Sequence, residues 1–126
     1  GEAEMKSIIS SQALLLMRPY KPILIGSAAY GNVHANDIDM LIRVDVEKLG
    51  EVEGQLTALG FSQQVPDPET LDPRVHSAWK LDKLDIQLAT PANYDSKVAA
   101  HREVLRKRLY KGLSKAARYA RLCSLI

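Results

Sequence analysis

The sequence has little cysteine and no long apolar run, and each absence excludes a class of protein. Cys123 is the single cysteine among 126 residues, so an internal disulfide is impossible and a reducing setting is expected. The longest apolar run covers residues 13–17, whereas a membrane-spanning helix needs ~20 residues. Internal repeats and low-complexity tracts are also absent. We therefore expect a small, soluble, cytoplasmic protein that has no contact with the membrane.

The charge of the chain is distributed unevenly, although its net value is only +2. Residues 1–96 carry 8 Lys and Arg against 14 Asp and Glu, whereas residues 97–126 carry 9 against 1. The basic part is expected either to meet an anion, such as a nucleic acid, an acidic partner or the acidic side of its own domain, or to form a solvated helix face. We accordingly divide the chain into a tag remnant (1–4), a core (5–96) and a basic C-terminal helical segment (97–126).

Hydrophobic spacing predicts an α+β fold, with a small mixed β-sheet and helices packed on one face. The predicted strands cover residues 23–25, 36–44, 61–65, 75–81 and 84–89. The predicted helices cover residues 5–17, residues 45–59 and a basic stretch from Asp95 or Ser96 onward. Gly60 is placed to end the second helix, and an acidic, proline-rich loop covers residues 66–73. Trp79 is expected in the core. The residues expected to face inward from the basic helix are Val98, Leu105, Leu109 and Leu113.

Two short patterns near the first predicted strands carry residues suited to chemistry. Ile25 runs directly into Gly26 and Ser27, and a Gly-Ser turn suits a phosphate because its N–H groups and hydroxyl approach an anion closely. Asp37 and Asp39 lie two residues apart on an apolar strand, so both carboxylates face the same side, about 7 Å apart along the strand. Such carboxylates repel each other unless a cation lies between them, and oxygen ligands suit Mg²⁺ or Mn²⁺.

A third acid, Asp85, lies between Leu84 and Ile86 on a later apolar strand. Taken alone, each of the three patterns also fits an ordinary explanation, either a turn that leaves a buried strand or a sheet face open to water. Arg43, Lys80 and Lys83 are the cations nearest to the acids in sequence, and each is either a surface residue or a counter-charge for a bound anion. The combination of the three patterns is more specific than any one of them.

The combined pattern resembles the DNA polymerase β-like nucleotidyltransferase superfamily, in particular its minimal (MNT-type) members. It consists of Ile25-Gly26-Ser27, residues 28–36, Asp37-Ile38-Asp39-Met40 and, later, Leu84-Asp85-Ile86. In element order the resemblance covers residues 5–90. It implies a Mg²⁺-dependent (or Mn²⁺-dependent) enzyme that moves a nucleoside monophosphate from an NTP, with ATP the expected nucleotide, to a hydroxyl of a protein or RNA, and releases pyrophosphate.

The resemblance also implies a role for each residue of the pattern. Gly26 and Ser27 would bind the β- and γ-phosphates of the NTP. Asp37 and Asp39 would hold the metal ions. Asp85 would share one metal ion and help to deprotonate or orient the attacking hydroxyl.

Two departures from the family pattern keep a rival interpretation open. Residues 28–31 read Ala-Ala-Tyr-Gly, whereas minimal members often have Arg-Ala-Arg-Gly, so two cations are missing. The long helical bundle with which larger members bind the base and the acceptor is missing as well. The rival is a catalytically silent module that binds a partner protein or nucleic acid through its basic C-terminal helix. A metal-dependent nuclease fits less well, because it would usually have a lysine where Gln87 follows Asp85.

Overall fold

In the computed structural model of the protein, residues 11–26, 37–69 and 71–107 are described. Five strands form one mixed sheet in the order β1-β2-β5-β4-β3. They are β1 (Ile23–Ile25), β2 (Ile38–Arg43), β3 (Ser62–Gln63), β4 (Ser77–Leu81) and β5 (Leu84–Ala89). Strands β2 and β5 are parallel, and the other neighbours are antiparallel. The expected α+β class with a mixed sheet is confirmed.

Three α-helices accompany the sheet in the described ranges. They are α1 (residues 11–17), α2 (Leu49–Leu59) and α3 (Pro91–Lys107). Gly60 ends α2 in the left-handed conformation, with φ 101°, as its position predicts. Helix α3 begins at Pro91, before the predicted start at Asp95 or Ser96, because proline has a suitable φ and its missing N–H costs nothing in the first turn. None of the helices in this part of the chain is long and apolar enough to cross a membrane.

Helices pack on both faces of the sheet, and not on one face as the sequence predicts. The apolar face of the sheet and helices α1 and α2 share one core, whose buried members include Ala13, Met17, Ile42, Val52, Leu56, Trp79, Ile86 and Leu88. On the opposite face, Tyr94 and Val98 of α3 pack against Ile25, Leu41 and Ala89. Successive strand residues face opposite sides, so Leu41 lies on the same face as Asp39. Helix α3 therefore covers the apolar part of that face and leaves the acidic part open.

Two details of the predicted elements differ in the structure. The strand predicted over residues 61–65 is reduced to Ser62–Gln63. In α3 the buried position near the end is Val104, at 1% exposed, whereas Leu105 is 38% exposed. By contrast, Trp79 is buried in the core as expected.

Candidate active site

Asp39 and Asp85 lie directly opposite each other on the two parallel strands at the centre of the sheet. The β2–β5 register pairs Asp39 with Asp85, and the β4–β5 register pairs Lys80 with Asp85. Paired residues on neighbouring strands are about 4.8 Å apart, and their side chains leave the same face. The three side chains therefore form a row across β2, β5 and β4. Two of these residues, Asp39 and Asp85, are acids that the sequence pattern singled out.

Gly26 lies immediately beside this row, at the end of β1. Ile25 pairs with Asp39 in the β1–β2 register, so the chain leaves β1 next to the Asp39 carboxylate. The φ of Gly26 is +76°, a left-handed conformation that other residues rarely adopt. A Cβ atom at this position would overlap the Asp39 carboxylate, whose Cγ would be 3.0 Å away. Gly26 is therefore required both for the turn and for the room that Asp39 occupies.

An ion pair with Lys80 holds Asp37 beside this row of side chains. Asp37 precedes β2, whose first residue is anchored by a hydrogen bond from the Ile38 N–H to the Lys83 carbonyl, 2.7 Å long. The Lys80 ammonium donates to Asp37 Oδ2 at 3.2 Å, and both side chains are about one third exposed. We name the group of Asp37, Asp39, Asp85 and Lys80 the acid cluster. All three predicted acids thus belong to it, together with a lysine that the sequence marked only as one of several nearby cations.

The acid cluster offers the oxygen donors that Mg²⁺ prefers, but it is not arranged as a complete metal site. Asp39 and Asp85 present carboxylates from adjacent strands, a donor set suited to a hard divalent cation. Within residues 11–26, 37–69 and 71–107, however, no three acidic, histidine or cysteine side chains are grouped closely enough to hold one metal ion. Asp37 is bonded to Lys80 instead. The residues present therefore fit a divalent cation at Asp39 and Asp85, and Lys80 would compete with such a cation for Asp37.

A cleft of about 320 Å³ opens beside the acid cluster. Lys80, Asp85 and Gln87 line its floor, which is the open part of the sheet. Its wall is the connection between β3 and β4, including residues 64–67. Gln87 is only 8% exposed, and its Oε1 has no hydrogen-bond partner in the described part of the chain. A buried amide oxygen without a partner is uncommon in folded proteins. The cleft thus contains a buried acceptor whose hydrogen-bonding capacity is unused.

A second ionic group, which we name the buried ion triad, lies at the wall of the cleft, where Asp72 is one of the lining residues. Asp72 accepts hydrogen bonds from Arg74 Nε (2.9 Å) and Arg74 Nη2 (3.1 Å), and from Lys97 Nζ (2.7 Å). Its side chain is 2% exposed. Burial by itself raises the pKa of Asp72, but the bonds from Arg74 and Lys97 outweigh this effect and hold the pKa at about 2. The triad ties the β3–β4 connection to α3.

Sequence reasoning missed the buried ion triad. It treated residues 66–73 as an acidic connection, and Lys97 as the first residue of a basic segment that either meets an anion or forms a solvated helix face. The spacing of Asp72 and Arg74 was a local signal, because an Asp side chain often bonds to the backbone two residues later, as it does here at 3.0 Å. Lys97 lies far along the chain and carried no such signal. His101, one turn further along α3, is also buried, and this burial, with Lys97 and Arg102 nearby, lowers its pKa.

Some predicted residues lie outside the described ranges. They are residues 27–36, which include Ser27, and the part of the basic segment beyond residue 107. Within the described part of α3, Arg102 and Arg106 are exposed, and Arg106 pairs with Glu103 at 2.6 Å. Lys97 is buried. The basic residues described in α3 therefore do not share a single solvent-facing side.

Comparisons with protein-family models, with curated proteins and with solved structures found no match to this chain. The nucleotidyltransferase resemblance therefore depends on the residue pattern alone. The geometry around Asp39 and Asp85 is the basis on which a function can be argued, because function is a property of the site and not of the fold class.

Proposed function

We propose that the protein is a Mg²⁺-dependent nucleotidyltransferase that moves a nucleoside monophosphate from an NTP to a hydroxyl group. The observation that carries this proposal is the register of the central strands, which pairs Asp39 with Asp85 while Gly26 packs against Asp39. The pattern joined these residues in sequence, and the fold brings all three to one end of one sheet face. Phosphate transfer needs such convergence, because it depends on positioning and on neutralising charge.

The proposed reaction exchanges one phosphorus–oxygen bond for another. The oxygen of the acceptor hydroxyl forms a bond to the α-phosphorus of the NTP. The bond from that phosphorus to the oxygen bridging the α- and β-phosphates breaks, and pyrophosphate leaves. The hydroxyl proton passes to the Asp85 carboxylate and then to solvent. A divalent cation held by Asp39 and Asp85 would neutralise the charge of the phosphate oxygens.

The other residues of the site act by position and charge. The backbone at Gly26 turns sharply beside Asp39, and this leaves space for a phosphate to approach the N–H groups that follow. Lys80 balances the charge of Asp37 in the absence of a cation. The single cysteine is consistent with a reducing, cytosolic location for this reaction.

One observation favours the alternative, a catalytically silent module that binds a protein or nucleic acid. The Lys80 ammonium is bonded to Asp37, the acid that an enzyme of this kind would use for its metal ion. A lysine can hold a cluster of acids together without any metal. In that case Asp39 and Asp85 would stabilise the fold only, and a partner would bind elsewhere.

Labelling with α-³²P-ATP and the other NTPs, with Mg²⁺ and a cell lysate as the source of acceptor, tests the proposal. Wild-type protein should transfer label to protein or RNA, and chelation of Mg²⁺ should abolish the transfer. The Asp39→Asn variant should reduce it at least about 100-fold, the scale expected when a group that neutralises transition-state charge is lost. Asp45→Asn is the matched control, because Asp45 is exposed and its side chain caps no helix. Equal labelling by wild type and Asp39→Asn would refute the proposal and favour the silent module.

A further inference from the structure

The cleft beside the acid cluster lies on the opposite side of the acids from Gly26. In the order β1-β2-β5-β4-β3, Gly26 follows β1, the acids lie on β2 and β5, and the cleft extends over β5, β4 and β3. A phosphate near Gly26 and a molecule in the cleft would therefore meet at Asp39 and Asp85. Transfer between two substrates requires this arrangement, because the reacting atoms of both must come within about 3–3.5 Å of each other.

We propose that the cleft is the binding subsite for the acceptor, and that it selects a hydroxyl-bearing group without negative charge. The identification of the bound group as the acceptor rests on the proposed function. The prediction that the cleft binds an uncharged, hydroxyl-bearing group does not. The cleft's volume of about 320 Å³ lies at the small end of the range for ligand pockets, about 300–1,000 Å³. It has room for a sugar ring or an amino-acid side chain, but not for a folded segment.

The charge of the lining excludes anions. Lys80 is the one lysine or arginine among the described residues that line the cleft, and its ammonium is already bonded to Asp37. Asp67 also lines the cleft, so a phosphodiester or carboxylate placed there would meet its negative charge, and His76, the other basic side chain of the described lining, lies beside Glu53. An RNA end is for this reason a poor occupant.

The side-chain amide of Gln87 is the polar group that would recognise the ligand. Its buried Oε1 has no hydrogen-bond partner in the described ranges, and the side chain lines the cleft two residues beyond Asp85. A small rotation of the amide would bring this acceptor to a hydroxyl of the ligand, and the bond gained would offset the cost of burying the oxygen. A ligand that donates hydrogen bonds therefore suits the cleft best.

NMR of ¹⁵N-labelled protein, without Mg²⁺ or nucleotide, tests this inference through the side-chain amide signal of Gln87. Glucose and glucuronate form a matched pair of probes, of similar size but different charge, and N-acetyl-tyrosinamide represents a protein side chain. Glucose, N-acetyl-tyrosinamide or both should shift the Gln87 signal, and glucuronate should not. A shift with glucose alone indicates a free polyhydroxylated molecule as the acceptor, whereas a shift with N-acetyl-tyrosinamide alone indicates a protein side chain.

Two variants locate the binding in the cleft. Gln87→Leu should weaken binding about tenfold, the effect of losing one buried hydrogen bond. Because this variant lacks the Gln87 side-chain amide, its binding is measured through the backbone amide signals. Ala78→Leu should abolish binding, because Ala78 lines the cleft and pairs with Gln87 across β4 and β5. Ala58→Leu is the control of the same size, since Ala58 is exposed on α2 and does not line the cleft.

Several outcomes would overturn the inference. They are an absence of binding by both uncharged probes, equal binding of glucuronate and glucose, binding that survives Ala78→Leu, and a shift of the Gln87 signal by a short RNA oligonucleotide. The proposed function has an independent readout. The Asp39→Asn variant should keep its affinity for the uncharged probe while it loses transfer of label, so that failure of one proposal can be told from failure of the other.

Discussion

The two ionic groups of this protein contain similar residues but occupy different environments. In the buried ion triad, Asp72 is bonded to both Arg74 and Lys97, and its side chain is 2% exposed. In the acid cluster, one lysine accompanies three acids, and the Lys80–Asp37 pair is about one third exposed. A charged side chain is stable in a buried position only when its charge is paired with an opposite charge. The triad accordingly stabilises the fold, whereas the acid cluster presents the carboxylates of Asp39 and Asp85 from adjacent strands, a donor set suited to a divalent cation.

The largest expected effect is on the buried ion triad. Asp72→Asn removes the carboxylate charge that pairs with both Arg74 and Lys97, so that two buried cations lose this counter-ion. We expect the free energy of unfolding to fall by about 3–5 kcal/mol, measured by urea denaturation. Asp45→Asn, an exposed substitution of the same type, should change it by less than about 0.5 kcal/mol. Similar losses for the two variants would show that the triad does not stabilise the fold.

The next effect concerns the space that Gly26 leaves for Asp39. Gly26→Ala places a Cβ against the Asp39 carboxylate at a φ of +76°, and should reduce the free energy of unfolding by about 2 kcal/mol. Gly50→Ala is the matched control, because Gly50 lies in α2 and a Cβ atom added there would have nothing within 4 Å. It should instead stabilise the protein, by about 0.5–1 kcal/mol. A neutral Gly26→Ala would mean that the turn at the acid cluster is not tightly constrained.

Acid should weaken the triad in a defined pH range. The pKa of Asp72 is lowered from 3.8 to about 2 by folding, so the unfolded chain binds this proton more readily than the folded protein. The stabilisation, about 2 kcal/mol by linkage, is therefore complete above about pH 5 and is lost as the pH falls towards 2. Urea denaturation across this range should show the loss in wild type and a smaller slope in Asp72→Asn. Parallel curves would contradict the assignment to Asp72.

The smallest effect on stability is expected at the acid cluster. Lys80→Met breaks a partly exposed ion pair, and such pairs contribute about 0–1 kcal/mol. The variant should nevertheless bind Mn²⁺ more tightly than wild type, because the Asp37 carboxylate is released, and titration followed by electron paramagnetic resonance measures this. Lys83→Met, which alters an exposed lysine in the adjacent turn, should leave the affinity unchanged. If Lys80→Met unfolded the protein or bound Mn²⁺ no better, Lys80 would be a structural residue.

Much of the fold could be predicted because its signals are local. Alternation of apolar and polar residues located β2 and placed Asp39 on the opposite side of the strand from Met40, and Gly60 marked the end of α2. The start of α3 could not be located in this way, because Pro91 and Asp95 are both reasonable first-turn residues and the sequence offers no measure to choose between them. Leu105 shows a similar limit. It fits the inward spacing, but Tyr94 and Val98 form the side of α3 that packs against the sheet, and Val104 is the buried residue near the end of the helix.

The candidate site shows the same difference between local and long-range features. The sequence by itself determined which residues are suited to chemistry: Gly26 at a strand end, Asp39 and Asp85 between apolar residues, and Asp37 two residues before Asp39. Only the tertiary structure decided that Asp39 and Asp85 pair across parallel strands, that Lys80 holds Asp37, and that Lys97 belongs to a buried triad. The physical reason is that strand register and ion pairing join residues distant in the chain. Such contacts depend on how both faces of the sheet are packed, and no local pattern records them.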